Sequence, residues 1–126
     1  MNMRRTMLGG KIHRATVTDA CLDYEGSVTV DPDLLDAAGI LEYEAVHIWN
    51  VTTGSRLTTY ALSGPRGSGT VCVNGAAAHH AGVGDVVIIA SLVELEDSEA
   101  QGWRPHAVFV DSANRVVESR AERLPT

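Results

Sequence analysis

Lysine is almost missing from this chain. Of ten basic residues nine are arginine, and Lys11 stands alone among 126 residues. Ten bases against sixteen acids leave a net charge of −6. That balance excludes sequence-independent binding to nucleic acid or to an anionic membrane surface, which needs a basic face. Cysteine is scarce too. Cys21 and Cys72 lie far apart with no CxxC between or around them. They read as two buried free thiols in a reducing cytosol, with a disulfide as the alternative. Long apolar runs are absent: the longest, Val86 to Val93, falls well short of the roughly 20 residues of a membrane span. Met1 to Gly10 carries two arginines but no apolar stretch behind them, unlike a secretory signal. The expectation is a soluble cytoplasmic protein.

Conventional catalytic signatures are missing as well. There is no GxGxxG, no P-loop, no HExxH and no G-x-S-x-G. His79-His80 is the only histidine cluster, and adjacent histidines point to different sides of an element. They are expected to be surface or interface residues, and no metal is expected. The length suits one domain, 1–126, and leaves no room for a nucleotide domain beside a substrate domain. Demanding chemistry must then come from a small site, from a subunit interface, or from a group the chain makes itself.

What is present is a series of short β-like runs. Lys11–Thr18 alternates, offering Ile12, Ala15 and Val17 to a core. Ser27–Val30 is a β-branched run. Ala45–Val51 and Arg56–Leu62 flank Thr52-Thr53-Gly54-Ser55 and read as a hairpin. Thr70–Val73 and Val86–Leu95 are further strands; the second is apolar at nearly every position through Val93, so both its faces are expected to be buried. Ala107–Val110 and Arg115–Glu118 flank Ser112-Ala113-Asn114 as a late hairpin. Asp31 caps a helix that starts at Pro32 and stops at Gly39. Gly75–His80 and Glu96–Gln101 each read as one turn of helix. Many short strands with few helices predict a mainly β chain, a small closed barrel.

One dipeptide has latent chemistry of its own. In Tyr24-Glu25-Gly26-Ser27, a serine hydroxyl follows an unhindered glycine carbonyl. Attack by the hydroxyl turns the amide into an ester. Elimination then breaks the chain and leaves dehydroalanine, which hydrolyses to a pyruvoyl group, a ketone able to condense with an amine and withdraw electrons. A Gly-Ser pair alone says little, since Gly54-Ser55 and Gly67-Ser68 also occur and read as turns.

The wider pattern says more. Arg5-Thr6-Met7-Leu8 precedes Gly10-Lys11-Ile12-His13-Arg14, then Tyr24-Glu25-Gly26-Ser27 and Leu35-Asp36-Ala37-Ala38-Gly39-Ile40-Leu41-Glu42. Ile48-Trp49-Asn50-Val51-Thr52, Arg56 and Thr59-Tyr60-Ala61 follow. Next come Val73-Asn74-Gly75-Ala76-Ala77-Ala78-His79, Val83 through Ala90, and Trp103-Arg104-Pro105. In order, spacing and length this set resembles the pyruvoyl-dependent aspartate 1-decarboxylases, with the tail after Pro105 matching poorly.

The resemblance implies a six-stranded double-psi β-barrel, a homotetramer with active sites between subunits, and synthesis of β-alanine from L-aspartate for pantothenate and coenzyme A. It implies self-cleavage between Gly26 and Ser27 into 1–26 and 27–126, with Ser27 becoming the pyruvoyl group; neither metal nor pyridoxal phosphate is implied. Thr59 would promote the acyl shift, and Tyr24 would help position the bond. Tyr60 would be the proton donor after decarboxylation. Asn74, with Gly75, Ala76 and Ala77, would lie against the reacting group. Arg56 and Lys11 would bind aspartate, Arg56 gripping its side-chain carboxylate, while Trp49 and Ile88 would shape the pocket. Some members of the family process alone and others need a maturation partner. The competing expectation is a non-enzymatic double-psi barrel that serves binding or assembly; a third keeps pyruvoyl chemistry with another amino acid.

Overall fold

The computed structural model describes residues 3–123. Nine strands form one mixed sheet: β1 (Arg4–Thr16), β2 (Asp19–Cys21), β3 (Ser27–Val30), β4 (Ala45–Asn50), β5 (Arg56–Ser63), β6 (Val71–Asn74), β7 (Val86–Glu96), β8 (His106–Val110) and β9 (Val116–Ala121). Their order is β2-β6-β3-β5-β4-β7-β1-β8-β9. β2 with β6, β3 with β5, and β1 with β8 pair in parallel, and the remaining neighbours are antiparallel. The inward residues are β-branched or aliphatic, including Ile12, Val28, Val30, Val46, Ile48, Val71, Val73, Val87, Ile89 and Val108, all without exposed surface. Such side chains suit a pleated, half-buried surface and supply most of the burial that holds the fold.

Helix α1 (Pro32–Ala38) begins and ends as its sequence requires. Asp31 accepts a hydrogen bond from the Asp33 backbone N–H, Pro32 opens the first turn, and Gly39 closes the helix at φ 72°. Its Leu34, Leu35 and Ala38 face the core. Gly10 on β1 lets this helix approach, because a Cβ there would collide with the Ala38 carbonyl oxygen. Asp31 has a second task. Its carboxylate also accepts from the backbone N–H groups of Gly67 (3.0 Å) and Gly69 (2.9 Å), pinning the irregular Ser63–Gly69 connection to the helix start. Burial opposes ionisation at Asp31, but the N–H donors of Gly69, Asp33 and Gly67 outweigh it and hold the carboxyl below its usual range.

Both expected hairpins are present, β4–β5 and β8–β9. Gly75–His79 is a 3-10 turn, and Asp97–Ala100 forms the short helix α2. Three details depart from expectation. The first strand starts at Arg4, seven residues earlier than its alternation indicated, because β7 pairs along it from Arg4↔Glu96 to Thr16↔Val86. β7 is buried on both faces only in part: Leu92 is 42% exposed. β4 covers β7 only from Val87 to Ala90, and beyond that β7 continues as a ribbon with the start of β1. Cys21 and Cys72 are free, as expected, but half-buried rather than buried. No helix among the described residues is long and apolar enough to cross a membrane.

Candidate active site

Ser27 opens β3, and its antiparallel partner on β6 is Asn74. The pairing puts the two side chains together under cover: Ser27 is 2% exposed and Asn74 8%. The Asn74 amide nitrogen donates to Ser27 Oγ (3.1 Å) and to Thr29 Oγ1 (3.1 Å). The Ser27 hydroxyl donates in turn to the Glu25 carbonyl at 3.4 Å. On the other side of β3, the parallel ladder to β5 begins at Val28↔Ala61 and runs Thr29↔Leu62. Followed back along the chain, that register sets Ser27 beside Tyr60 and Gly26 beside Thr59.

Two hollows flank the Gly26–Ser27 bond. A cleft of about 750 Å³ is lined by Ser27, Tyr60, Asn74, Tyr24, Thr29 and Cys72, among others. A smaller hollow of about 260 Å³ is lined by Gly26, Thr59, Ala76 and Ala77 with Leu57, Thr58 and His80. Two consecutive strand residues, Thr59 and Tyr60, thus serve opposite sides, as strand alternation demands. Gly75 fits its place tightly. It has φ 69°, and a Cβ there would lie 2.5 Å from the Gly26 nitrogen, 2.6 Å from Gly26 Cα and 2.7 Å from the Tyr24 carbonyl oxygen. Gly26 itself is open, with nothing within 4 Å of where its Cβ would stand. The arrangement pairs a sheltered hydroxyl with an amide donor, next to an unhindered glycine carbonyl.

The family model for aspartate decarboxylase matches residues 3–117. The chain belongs to the aspartate decarboxylase family. Three relatives named "Aspartate 1-decarboxylase" show how close the likeness is. The protein from Myxococcus xanthus is 57% identical over 98% of this chain and 95% of its own length. That from Legionella pneumophila is 55% identical over 95% of this chain and 90% of its own. That from Albidiferax ferrireducens is 53% identical over 94% and 88%. Membership of the aspartate decarboxylase family makes the chain an enzyme, a lyase, and removes the binding-or-assembly alternative.

Against the site expected of an aspartate decarboxylase, the structure brings together Tyr24, Ser27, Tyr60 and Asn74 around one cleft, and Gly26, Thr59, Ala76 and Ala77 around the other hollow. It does not bring Arg56 or Lys11 to either. Arg56 lies at the far end of β5, four residues and roughly 13 Å of strand from Tyr60, with its guanidinium 5.2 Å over the Trp49 ring. Lys11 sits on β1 between β7 and β8, its ammonium 2.5 Å from Glu122 Oε2. The hydrogen bond from Lys11 outweighs the opposing effect of burial and, with the Arg123 backbone N–H, leaves the Glu122 carboxyl below its usual range. Trp49 and Ile88 face each other across β4 and β7, outside both hollows.

Sequence reasoning missed Thr29 and Cys72, which line the cleft and bond to Asn74. The signal was the two-residue period: Thr29 follows Ser27 on one face of β3, and Cys72 precedes Asn74 on one face of β6.

Proposed function

We propose that the chain is made as a precursor, cleaves itself between Gly26 and Ser27, and then decarboxylates L-aspartate to β-alanine and carbon dioxide for pantothenate and coenzyme A synthesis. The observation that carries this reading is the pairing of buried Ser27 with Asn74, with Gly75 packed against Gly26, in a chain of this family. In the first step Ser27 Oγ attacks the Gly26 carbonyl carbon. The C–N bond breaks, the serine nitrogen takes a proton, and an ester results. Loss of the Ser27 α-proton then breaks the ester C–O bond, releasing the Gly26 carboxylate and leaving dehydroalanine at position 27. Water hydrolyses its enamine with loss of ammonia. The mature subunit is then Met1–Gly26 and a pyruvoyl-headed 27–126, folded as one domain. Thr59, beside Gly26, promotes the acyl shift, and Tyr24 helps hold the bond.

The residues present suit that group. Asn74 offers a donor 3.1 Å from Ser27 Oγ, and Gly75 keeps side-chain bulk away from the bond that must open. When formed, the pyruvoyl group supplies a carbonyl that draws electrons from the carboxylate that departs. The rest is work for this chain. Tyr60 donates a proton to the carbon that has lost carbon dioxide. Asn74 and the Gly75-Ala76-Ala77 backbone line the seat. Arg56 binds the side-chain carboxylate of aspartate, so the α-carboxylate stays free of a salt bridge and able to leave. Lys11 adds a second positive charge.

Arg56 and Lys11 lie outside the Ser27 cleft of their own chain, which supports a homotetramer whose neighbouring subunits complete each site. The six-stranded double-psi barrel is supported by the mixed sheet and by Val17 and Thr18. Their backbones bond to Asp85, Gly84 and Val71, drawing the end of β1 against β6 from across the strand order. A cytoplasmic setting agrees with free cysteines. Mass spectrometry of the purified protein tests the proposal: two fragments are expected, one ending at Gly26 and one beginning at position 27 and lighter than a serine start by the mass of ammonia. A chain that stays intact on prolonged warming, alone and with a maturation partner, refutes it. Carbon dioxide release from aspartate but not glutamate identifies the substrate.

A further inference from the structure

Asn74 has two ends of nearly the same shape, an oxygen that accepts and an NH2 that donates. Which end faces Ser27 decides what the nucleophile's hydroxyl can do. With the NH2 inward, Ser27 Oγ receives a hydrogen bond and its own proton is turned to the Glu25 carbonyl. With the oxygen inward, that proton would be drawn to Asn74, and the hydroxyl would rotate away. The hydroxyl of Thr29 does not decide the matter, since it donates and accepts equally well. On the other side of the amide stands Cys72, whose Sγ is 3.2 Å from Asn74 Oδ1. A thiol proton resting on Oδ1 leaves the NH2 for Ser27 and Thr29. The flipped amide would lose that bond to Oδ1 and gain only an N–H···S contact, to a sulfur that accepts weakly.

We propose that Cys72 is a positioning residue for self-cleavage: its thiol holds the Asn74 amide with the NH2 toward Ser27. The strand pairing makes this a property of the fold. Cys72 and Asn74 lie two residues apart on β6 and pair with Thr29 and Ser27 of β3, so all four stand on one stretch of ladder. The thiol also keeps the proton it must donate. Burial first, then the charges of Asp19 and Cys21 nearby, push Cys72 up from its ordinary value. The inference rests on the proposed role of Ser27 as the cleavage nucleophile.

Two substitutions and two readouts test it. Cys72→Ala removes the donor, and Cys72→Ser replaces it with a hydroxyl able to make the same bond. Cleavage is followed by intact mass over time. The Asn74 side-chain amide is followed by 15N–1H spectroscopy in a Ser27→Ala background, where no cleavage intervenes. Cys72→Ala is expected to slow cleavage about three- to tenfold, the effect of one lost neutral hydrogen bond. Cys72→Ser is expected to restore most of the rate. The Asn74 NH2 resonances should shift with Cys72→Ala and return with Cys72→Ser. Parental cleavage by Cys72→Ala overturns the inference, as does an equal loss in both variants. If the unaltered chain does not cleave, alone or with a maturation partner, the role of Ser27 falls. The orientation of Asn74 is then judged by the amide resonances alone: unchanged signals in Cys72→Ala overturn it, and shifted signals that serine restores uphold it.

Discussion

Replacing Gly75 with alanine should slow self-cleavage sharply without removing any proposed reacting group. The backbone at Gly75 has φ 69°, where a side chain costs about 1–2 kcal/mol. The added methyl would also lie 2.5–2.7 Å from three backbone atoms of Tyr24 and Gly26. Backbone cannot swing aside as a flexible side chain can, and overpacking of this kind costs about 1–3 kcal/mol. Together the two terms come to about 2–5 kcal/mol if the site keeps its geometry. The chain has a cheaper escape, which is to push Tyr24–Gly26 outward and misalign the bond that Ser27 attacks. The expectation is therefore a modest loss of stability, about 1–2 kcal/mol, or roughly 3–8 °C in melting temperature, with cleavage slowed a hundredfold or more. Gly82→Ala is the control, since no atom lies within 4 Å of its added methyl. Gly26→Ala meets no atom either, so it should keep the parental melting temperature and slow cleavage only by crowding the carbonyl. Thermal unfolding and a mass-spectrometric time course read both quantities. Parental cleavage by Gly75→Ala, with an unchanged melting temperature, would refute the reasoning.

Separating processing from turnover distinguishes neighbouring side chains. Ser27→Ala should abolish both, Thr59→Ala should slow cleavage with the fold intact, and Tyr60→Phe should cleave normally but form little β-alanine; near-normal turnover in Tyr60→Phe removes it as the proton donor. Glu122→Gln releases the Lys11 ammonium from its ion pair, so KM for aspartate should fall about two- to fivefold if a substrate carboxylate competes for that charge, and an unchanged KM would remove Lys11 from substrate binding. Asp31→Asn should cost about 1–3 kcal/mol at neutral pH, because N–H groups bonded to a carboxylate lose its charge. The pH dependence has a definite sign. The folded carboxyl titrates below the ordinary aspartate value, so its contribution is present in full above that value and is lost as pH falls through the folded pKa. Urea unfolding of the parent and Asp31→Asn should converge in that acid range; a gap that widens there would contradict the assignment.

Local chemistry made much of the fold legible. Asp31, Pro32 and Gly39 marked both ends of α1, since capping and the left-handed terminus are decided within a few residues. The two turns, Thr52–Ser55 and Ser112–Asn114, marked their hairpins. The first half of β1 was hidden, because Arg4–Gly10 carries no alternation and becomes a strand only through its partner β7. β2 was hidden for the same reason: three residues pair with β6 and have no pattern of their own. Leu92 looked buried because it is apolar, yet burial requires a covering neighbour, and the pairing of β4 with β7 stops at His47↔Ala90.

The sequence by itself determined the family, and it pointed to the Gly26–Ser27 bond as the proposed cleavage site and to the residue types that such chemistry would require. These follow from covalent order and side-chain identity, both of which are written along the chain. Only the tertiary structure decided which residues meet. Asn74 stands beside Ser27 because β3 and β6 pair in one antiparallel register, and a slip of one residue would turn either side chain to the opposite face. That pairing also brought in Thr29 and Cys72, and it left Arg56 and Lys11 outside the cleft of their own chain. Contacts across 45 or 47 residues of chain, from Thr29 or Ser27 to Asn74, are set by sheet register and packing, to which no local pattern has access.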